Sequence, residues 1–236
     1  MSTLGAKGFF ITGTDTDVGK TVVTAALLKL LKAKGYQVAA AKPFESGGSS
    51  DSHWLHREAE QPDAWHKLAF PYRLKAAMAP DLAAQKEGVL LSTKLAITGL
   101  HQLQSMADIL LVEGAGGVLV PIRKHIMVAD FAAELGFPVL VVARLTLGTI
   151  NHTLLTLEAL RHRGCQVAGV IFSQTESGAL NEVQKNNPRV IAELGRVSVL
   201  GHLPYLPKAR RLQLPVASRI ERFFLLKKLL ALSGTR

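Results

Sequence analysis

Phe9-Phe10-Ile11-Thr12-Gly13-Thr14-Asp15-Thr16-Asp17-Val18-Gly19-Lys20-Thr21-Val22-Val23 runs from a short apolar segment, through a turn bounded by glycines, into an apolar stretch that keeps helical spacing to Leu31. Strand, glycine-bounded turn, Gly-Lys-Thr and helix, in that order, form a phosphate-binding loop. Its glycines let the backbone curl so that several N–H groups face one anion, and the helix start adds partial positive charge. Lys20 is expected to reach the β- and γ-phosphates, and Thr21 to place its hydroxyl on Mg²⁺. A turn that ends in Lys-Thr by chance is the weaker reading, because all four features fall in sequence.

From this anchor the remaining chain alternates strands and helices. Strands are expected at 8–12, 37–41, 109–112, 139–142, 167–172 and 197–200. Helices are expected at 20–34, 51–60, from Asp81 to Glu87, from Ser92 to Ser105, at 128–135 and at 149–163, with Gly35, Gly136 and Gly164 as stops and Asp51, Asp81 and Ser92 as caps. The strands are apolar throughout, which predicts an α/β fold with a mostly parallel sheet and helices on both faces. Ligands in such sheets gather at the carboxyl ends of the strands. Lys42, Glu113, Thr146 and Ser173 each follow a strand. No repeat or low-complexity linker interrupts residues 1–236, so one domain is expected.

Composition narrows the classes. The 236 residues are 48% hydrophobic, but no apolar run reaches the ~18 residues of a membrane span. Met1 to Lys7 is too short and polar for a signal peptide. With one cysteine, Cys165, there is no internal disulfide, and a reducing, cytoplasmic setting follows. Cys165 precedes an apolar strand and reads as a buried, inert thiol. The net charge of +10 suits nucleic acid, an anionic membrane or anionic small molecules. The basic residues are scattered, denser from Lys208 to Arg211 and from Arg219 to Lys228, and show no interleaving with aromatics of the kind that stacks bases. Neither a nucleic-acid nor a membrane partner is expected. The tail from Ser218 to Leu232, with Ile220, Phe223, Phe224, Leu226, Leu229 and Leu230, reads as a helix docked on the sheet rather than one lying on a membrane.

Two strand ends carry further chemistry. Glu113, after Ile109-Leu110-Leu111-Val112, has the form of the second Mg²⁺ position of phosphate-loop enzymes, and Gly114-Ala115-Gly116-Gly117 behind it allows backbone to approach a ligand. Thr21, Asp51 and Glu113 together would offer Mg²⁺ three oxygens and leave room for phosphates. Lys42, in Lys42-Pro43-Phe44-Glu45-Ser46-Gly47, is either a solvated surface lysine or an ammonium that neutralises charge in a transition state.

The loop has five residues between its glycines, Thr14 to Val18, where the common motif has four. This Gly-Thr-Asp-Thr-(acid)-Val-Gly-Lys-Thr form closely resembles the loop of the dethiobiotin synthetases. Four more motifs resemble that family in order: Lys-Pro-x-x-Ser-Gly from Lys42, Val-Glu-Gly-Ala-Gly-Gly from Val112, Leu-Gly-x-Ile-Asn-His from Leu147, and Leu-Gly-x-Leu-Pro-x-Leu from Leu200. The resemblance spans Gly13 to Leu206. It implies that 7,8-diaminononanoate takes up CO₂ (or bicarbonate) as a carbamate, that ATP phosphorylates the carbamate, and that ring closure releases dethiobiotin, ADP and phosphate. It implies catalytic roles for Lys42 and Lys20, and Mg²⁺ on Thr21, Asp51 and Glu113. ATP contacts fall on Asp17, Val18, Gly19, Lys20, Thr21, Val22, Asp51, Glu113, Gly114, Ala115, Gly116, Ser173, Gln174, Pro204, Tyr205 and Leu206. Thr16 and Ser46 contact substrate, and the helix start Gly148, Thr149 and Asn151 holds the substrate carboxylate across a homodimer interface. His152 reads as a packed or surface histidine.

Departures from the family pattern are Ser173-Gln174 for Asn-Asp, Arg211 for an acid, Asp17 for Glu, and Ala79-Pro80-Asp81 for Ser-Pro-His. A rival of another class is a partitioning-type ATPase switch acting on DNA or membrane. Such switches carry an extra lysine early in the loop, and none lies between Gly13 and Lys20. A cobyrinate-type amide synthetase would need a glutaminase domain for which 236 residues leave no room.

Overall fold

The computed structural model describes residues 8–207 and 214–234. Arg211 and the whole of the 208–211 basic patch lie outside the described residues, as does the 1–7 segment. The first strand, β1 (Gly8–Gly13), ends in the phosphate loop and is followed by α1 (Lys20–Ala33) and β2 (Val38–Ala41). Next come β3 (Phe44–Ser46), α2 (Ser50–Ala59), a 3₁₀ turn at Asp63–Trp65, α3 (His66–Ala69) and β4 (Tyr72–Leu74). The middle of the chain supplies α4 (Pro80–Glu87), α5 (Thr93–Met106), β5 (Ile109–Gly117), β6 (Pro121–Arg123), β7 (Ile126–Met127) and α6 (Val128–Leu135). It continues with β8 (Val139–Ala143), α7 (Thr149–His162), β9 (Val167–Ser173), α8 (Glu182–Leu194), β10 (Val199–Leu203), α9 (Ala217–Glu221) and α10 (Leu226–Leu232).

Six strands form one parallel sheet in the order β10-β9-β8-β1-β5-β2. The step from β1 to β2 runs one way across the sheet, and every later step runs the other way. Right-handed crossovers therefore put α1 on one face and α6 and α7 on the other. The reversal falls at β1, between β5 and β8, where a cleft opens at the strand ends. The register Ile11↔Glu113 places the Glu113 backbone beside the strand that feeds the loop. Strand burial is nearly complete: Ile11, Leu110, Leu111, Val112, Leu140 and Val141 are sealed from solvent. This is the expected doubly covered parallel sheet.

The small β3–β4 pair, which strand periodicity does not reveal because each strand has three residues, is fastened to the core by aromatic rings. Phe44 stacks on Tyr72 at 5.6 Å and meets Phe131 edge-on at 5.2 Å, and Phe131 in turn lies 6.1 Å from Phe10.

Several local expectations change. Asp81 does not cap α4; Ala79 occupies that position, Pro80 starts the helix with a fixed φ, and Asp81 instead accepts from the Lys124 backbone N–H at 3.0 Å. Ser92 does cap α5, accepting from Leu95 N–H at 3.1 Å. Ser49, not Asp51, is the cap residue of α2. The tail is two short helices rather than one, because Phe224 turns inward to pair with Gly201; Ile220, Phe224, Leu226 and Leu229 are buried, as a docked tail requires. The helix α8, absent from the sequence expectation, begins with a reciprocal cap between Asn181 and Gln184. Cys165 is buried, and burial raises its thiol pKa. Among the described residues no helix is long and apolar enough to cross a membrane.

Candidate functional site

The ends of β1, β2, β5 and β9 and the starts of α1 and α2 surround a cavity of about 780 Å³. Its lining includes Thr16, Asp17, Gly19, Lys20, Thr21 and Val22 of the loop, Lys42, Phe44 and Ser46, Asp51 and Trp54, Ala115 and Gly116, and Ser173, Gln174, Pro204 and Leu206. The loop folds as its glycines predict. Gly19 takes φ +97°, a left-handed conformation, and its missing Cβ would sit 2.4 Å from Ser173 Oγ. Asp17 is also left-handed, at φ 57°, which is strain stored beside the anion site. The Lys20 ammonium lies against the Asp15 carbonyl at 2.9 Å, while the Asp15 carboxylate accepts from Arg144 at 2.9 Å.

Glu113 is the hub. It is 0% exposed, and three donors reach its carboxylate: Thr21 Oγ1 at 2.8 Å and Lys42 Nζ at 2.9 Å on Oε1, and Thr24 Oγ1 at 3.0 Å on Oε2. Lys42 also donates to Asp51, so one ammonium joins the two acids. Lys42 is thereby a buried ion-pair lysine and not a solvated one. Burial works against its charge, yet Glu113 and Asp51 outweigh burial and hold its pKa above the ordinary lysine value. Lys20 goes the other way. Burial lowers its pKa, Glu113 opposes that, and the neighbouring Lys42 adds to it. A cation disfavoured by burial and by a second cation gains from an incoming anion, which suits a phosphate at this place.

Thr21, Asp51 and Glu113 are thus brought into one cluster of a hydroxyl and two carboxylates, a hard-oxygen set of the kind Mg²⁺ takes. Among the described residues no group of three or more acids, histidines or cysteines is placed to hold a metal alone. The set fits Mg²⁺ as an ion completed by phosphate oxygens and water.

Other expected residues stand elsewhere. Val18 is wholly buried under the loop, and Gly114 packs under the site, where a Cβ would lie 2.9 Å from Phe10. Tyr205 is half-buried and does not line the cavity, although Pro204 and Leu206 on either side do. Gly148 and Asn151 are exposed and away from the cavity, and the buried Thr149 donates its hydroxyl to the Arg144 carbonyl at 2.6 Å. The neighbouring Leu147 is 89% exposed.

Sequence reading missed Thr24, although it lies one helical turn after Lys20 on the same inward face. It also missed Arg144, the apolar wall of Trp54, Ala77 and Met78, and Glu45, whose Oε1 accepts from the Asp51 and Ser52 N–H groups.

Residues 7–212 match the AAA domain family. An ATP-dependent dethiobiotin synthetase BioD of Anoxybacillus flavithermus is 41% identical over 209 residues, covering 85% of this chain and 92% of that protein. Its namesake from Thermodesulfovibrio yellowstonii is 40% identical over 219 residues, covering 86% and 91%. Among solved structures, the MinC:MinD cell division protein complex of Aquifex aeolicus matches with TM-score 0.61 and 18% identity, covering 91% of this chain and 92% of that one. That likeness shows a shared fold.

Proposed function

We propose that this chain, which belongs to the ATP-dependent dethiobiotin synthetase family, joins CO₂ to 7,8-diaminononanoate with the residues gathered around Glu113. The reaction forms a carbamate on one amine, passes the γ-phosphoryl group of ATP to the carbamate oxygen, and closes the cyclic urea when the second amine displaces phosphate. The observation that carries the residue assignment is the Lys42 ammonium, buried between Glu113 and Asp51 at the mouth of the phosphate loop. Lys42 holds the carbamate oxygen and the charge that builds on it; Lys20 and the loop N–H groups hold the phosphates in line. Glu113 accepts a hydrogen bond from the Thr21 hydroxyl and so fixes its rotation, leaving the oxygen's lone pairs free for the metal. Thr21, Asp51 and Glu113 would hold Mg²⁺, which would neutralise charge on the phosphate oxygens. Ser173, against Gly19 of the loop, and Gln174, Pro204 and Leu206 also line the cavity and contact the nucleotide. Thr16 and Ser46 line the same cavity and contact the diamine.

A homodimer completes the site. Gly148, Thr149 and Asn151 stand away from their own cavity beside an exposed Leu147, an arrangement that suits a helix start offered to a partner's substrate carboxylate. The cell compartment is the cytoplasm, in keeping with the single buried thiol.

The test is phosphate release from MgATP with and without the diamine and bicarbonate, with the product identified by mass. Release that needs both, with a product of dethiobiotin mass, is expected. ATP hydrolysis indifferent to the diamine would refute the reading. For the dimer, mixing Lys42→Met and Asn151→Ala chains restores activity only if one site draws on both protomers.

A further inference from the structure

We propose that Glu45 is a positioning residue that clamps the first turn of α2 and so delivers Asp51 to Lys42 and the phosphate end of the cavity. The proposal rests on the reading of Asp51 given above. In β3 the side chains alternate. Phe44 and Ser46 line the cavity, whereas Glu45 reaches α2, where its Oε1 accepts from Asp51 N–H at 2.9 Å and Ser52 N–H at 3.2 Å. The cap residue of that helix, Ser49, makes no side-chain capping bond. A carboxylate from another element therefore does the capping, and the field of the helix start favours its charge.

The remaining bonding of Glu45 points to function rather than stability. Only 3% of the residue is exposed, yet Oε2 accepts no hydrogen bond from any described residue. A buried carboxylate with one idle oxygen is a poor choice for stability alone. What it secures is Asp51, whose side chain is 37% exposed and sits in a helical first turn, the part of a helix that frays. Without the clamp nothing in the first turn itself replaces those two acceptor bonds, and the Lys42–Asp51–Glu113 arrangement loses one fixed end.

The experiment compares Glu45→Ala and Glu45→Gln, each with and without Asp51→Asn, in the full-length enzyme. Two readouts are taken: hydrogen exchange of the Asp51 and Ser52 amides, and the Mg²⁺ dependence of diamine-dependent phosphate release. Glu45→Ala is expected to speed exchange at both amides and to raise the Mg²⁺ concentration for half activity about tenfold, the scale seen when groups that orient metal ligands are removed. KM for the diamine should stay within twofold of wild type, taken as roughly the scatter between contexts. Glu45→Gln keeps an acceptor oxygen and should rescue most of both effects. Because Glu45 acts through Asp51, Glu45→Ala should add little in the Asp51→Asn background. Unchanged amide exchange, or losses that add, would overturn the clamp. A wild-type Mg²⁺ response in Asp51→Asn would overturn the reading of Asp51 and the proposal with it, and would be told apart by amide exchange that is still faster in Glu45→Ala. Should Glu45→Ala fail to fold, Glu45→Asp, one methylene shorter, takes its place in the same comparison.

Discussion

Replacing Lys42 by Met should separate stability from catalysis, and the structure sets the size of each effect. The side chain is buried and its ammonium touches both Glu113 and Asp51. Without it Glu113, 0% exposed, keeps only the Thr21 and Thr24 hydroxyls as donors. Removing one partner of a buried ion pair costs roughly 3–5 kcal/mol. The two hydroxyl bonds and the partly exposed Asp51 place this case near the lower end, about 3 kcal/mol. For a chain of this size that lowers Tm by about 6–12 °C. Turnover should fall by about 10²–10³, as when a donor to developing charge is lost. ATP affinity should change little, since Lys20 and the loop amides remain. The pair Lys42→Met with Glu113→Gln removes both charges, so its stability should return to within about 1 kcal/mol of wild type while activity stays lost. Scanning calorimetry, ATP titration calorimetry and phosphate release at saturating substrates measure the three quantities. A Lys42→Met protein that melts and turns over like wild type would refute the reasoning, as would a double variant no more stable than the single one.

Other perturbations give equally definite outcomes. Gly19→Ala should abolish tight nucleotide binding, because φ +97° strains any side chain by roughly 1–2 kcal/mol and the new Cβ meets Ser173 Oγ at 2.4 Å; full recovery on adding Ser173→Gly would show that space alone mattered. Burial lowers the pKa of His202, and burial, then Arg73, His56 and His53, lower that of His66 against Asp63. The unfolded chain then binds protons first, so stability is fully present above the ordinary value of 6.5 and is lost as pH falls through the folded values. Urea midpoints should drop as pH falls below about 6.5, and His202→Gln should flatten part of that slope; a midpoint that rises on acidification contradicts the assignment. Ser92→Ala should remove the α5 cap and cost about 1 kcal/mol, with Ser92→Thr near neutral, read by the same melts.

The sheet was legible because its signals are local. Each long strand is an apolar run, glycines mark the stops, and the helices between strands keep a 3.6-residue period, except α8, which buries only Asn187 and Ile191 and carries Pro188 inside it. What periodicity could not show were pieces too short to have a period, β3, β4, β6 and β7, and the break of the tail at Phe224, which depends on a distant partner, Gly201. Asp81 was a plausible cap by composition, but Pro80 just before it already fixes the helix start.

For the site, the order of residues determined more than the spacing between them. Gly19, Lys20 and Thr21 sit in backbone geometry that nine consecutive residues, Gly13 to Thr21, encode, so the phosphate loop could be read from one line of sequence. That Lys42 is an ion-pair lysine rather than a surface one could not, because its partners are 9 and 71 residues away and meet it only when β2 and β5 pair and α2 folds over their ends. The same holds for Glu45. Its alternation with Phe44 and Ser46 is in the sequence, and Asp51 is only six residues on, but the capping bond exists only once the chain turns at Gly47-Gly48 and α2 folds back onto β3. Local backbone preference is written residue by residue; the burial and charge pairing that set the chemistry of these side chains are properties of the tertiary contacts.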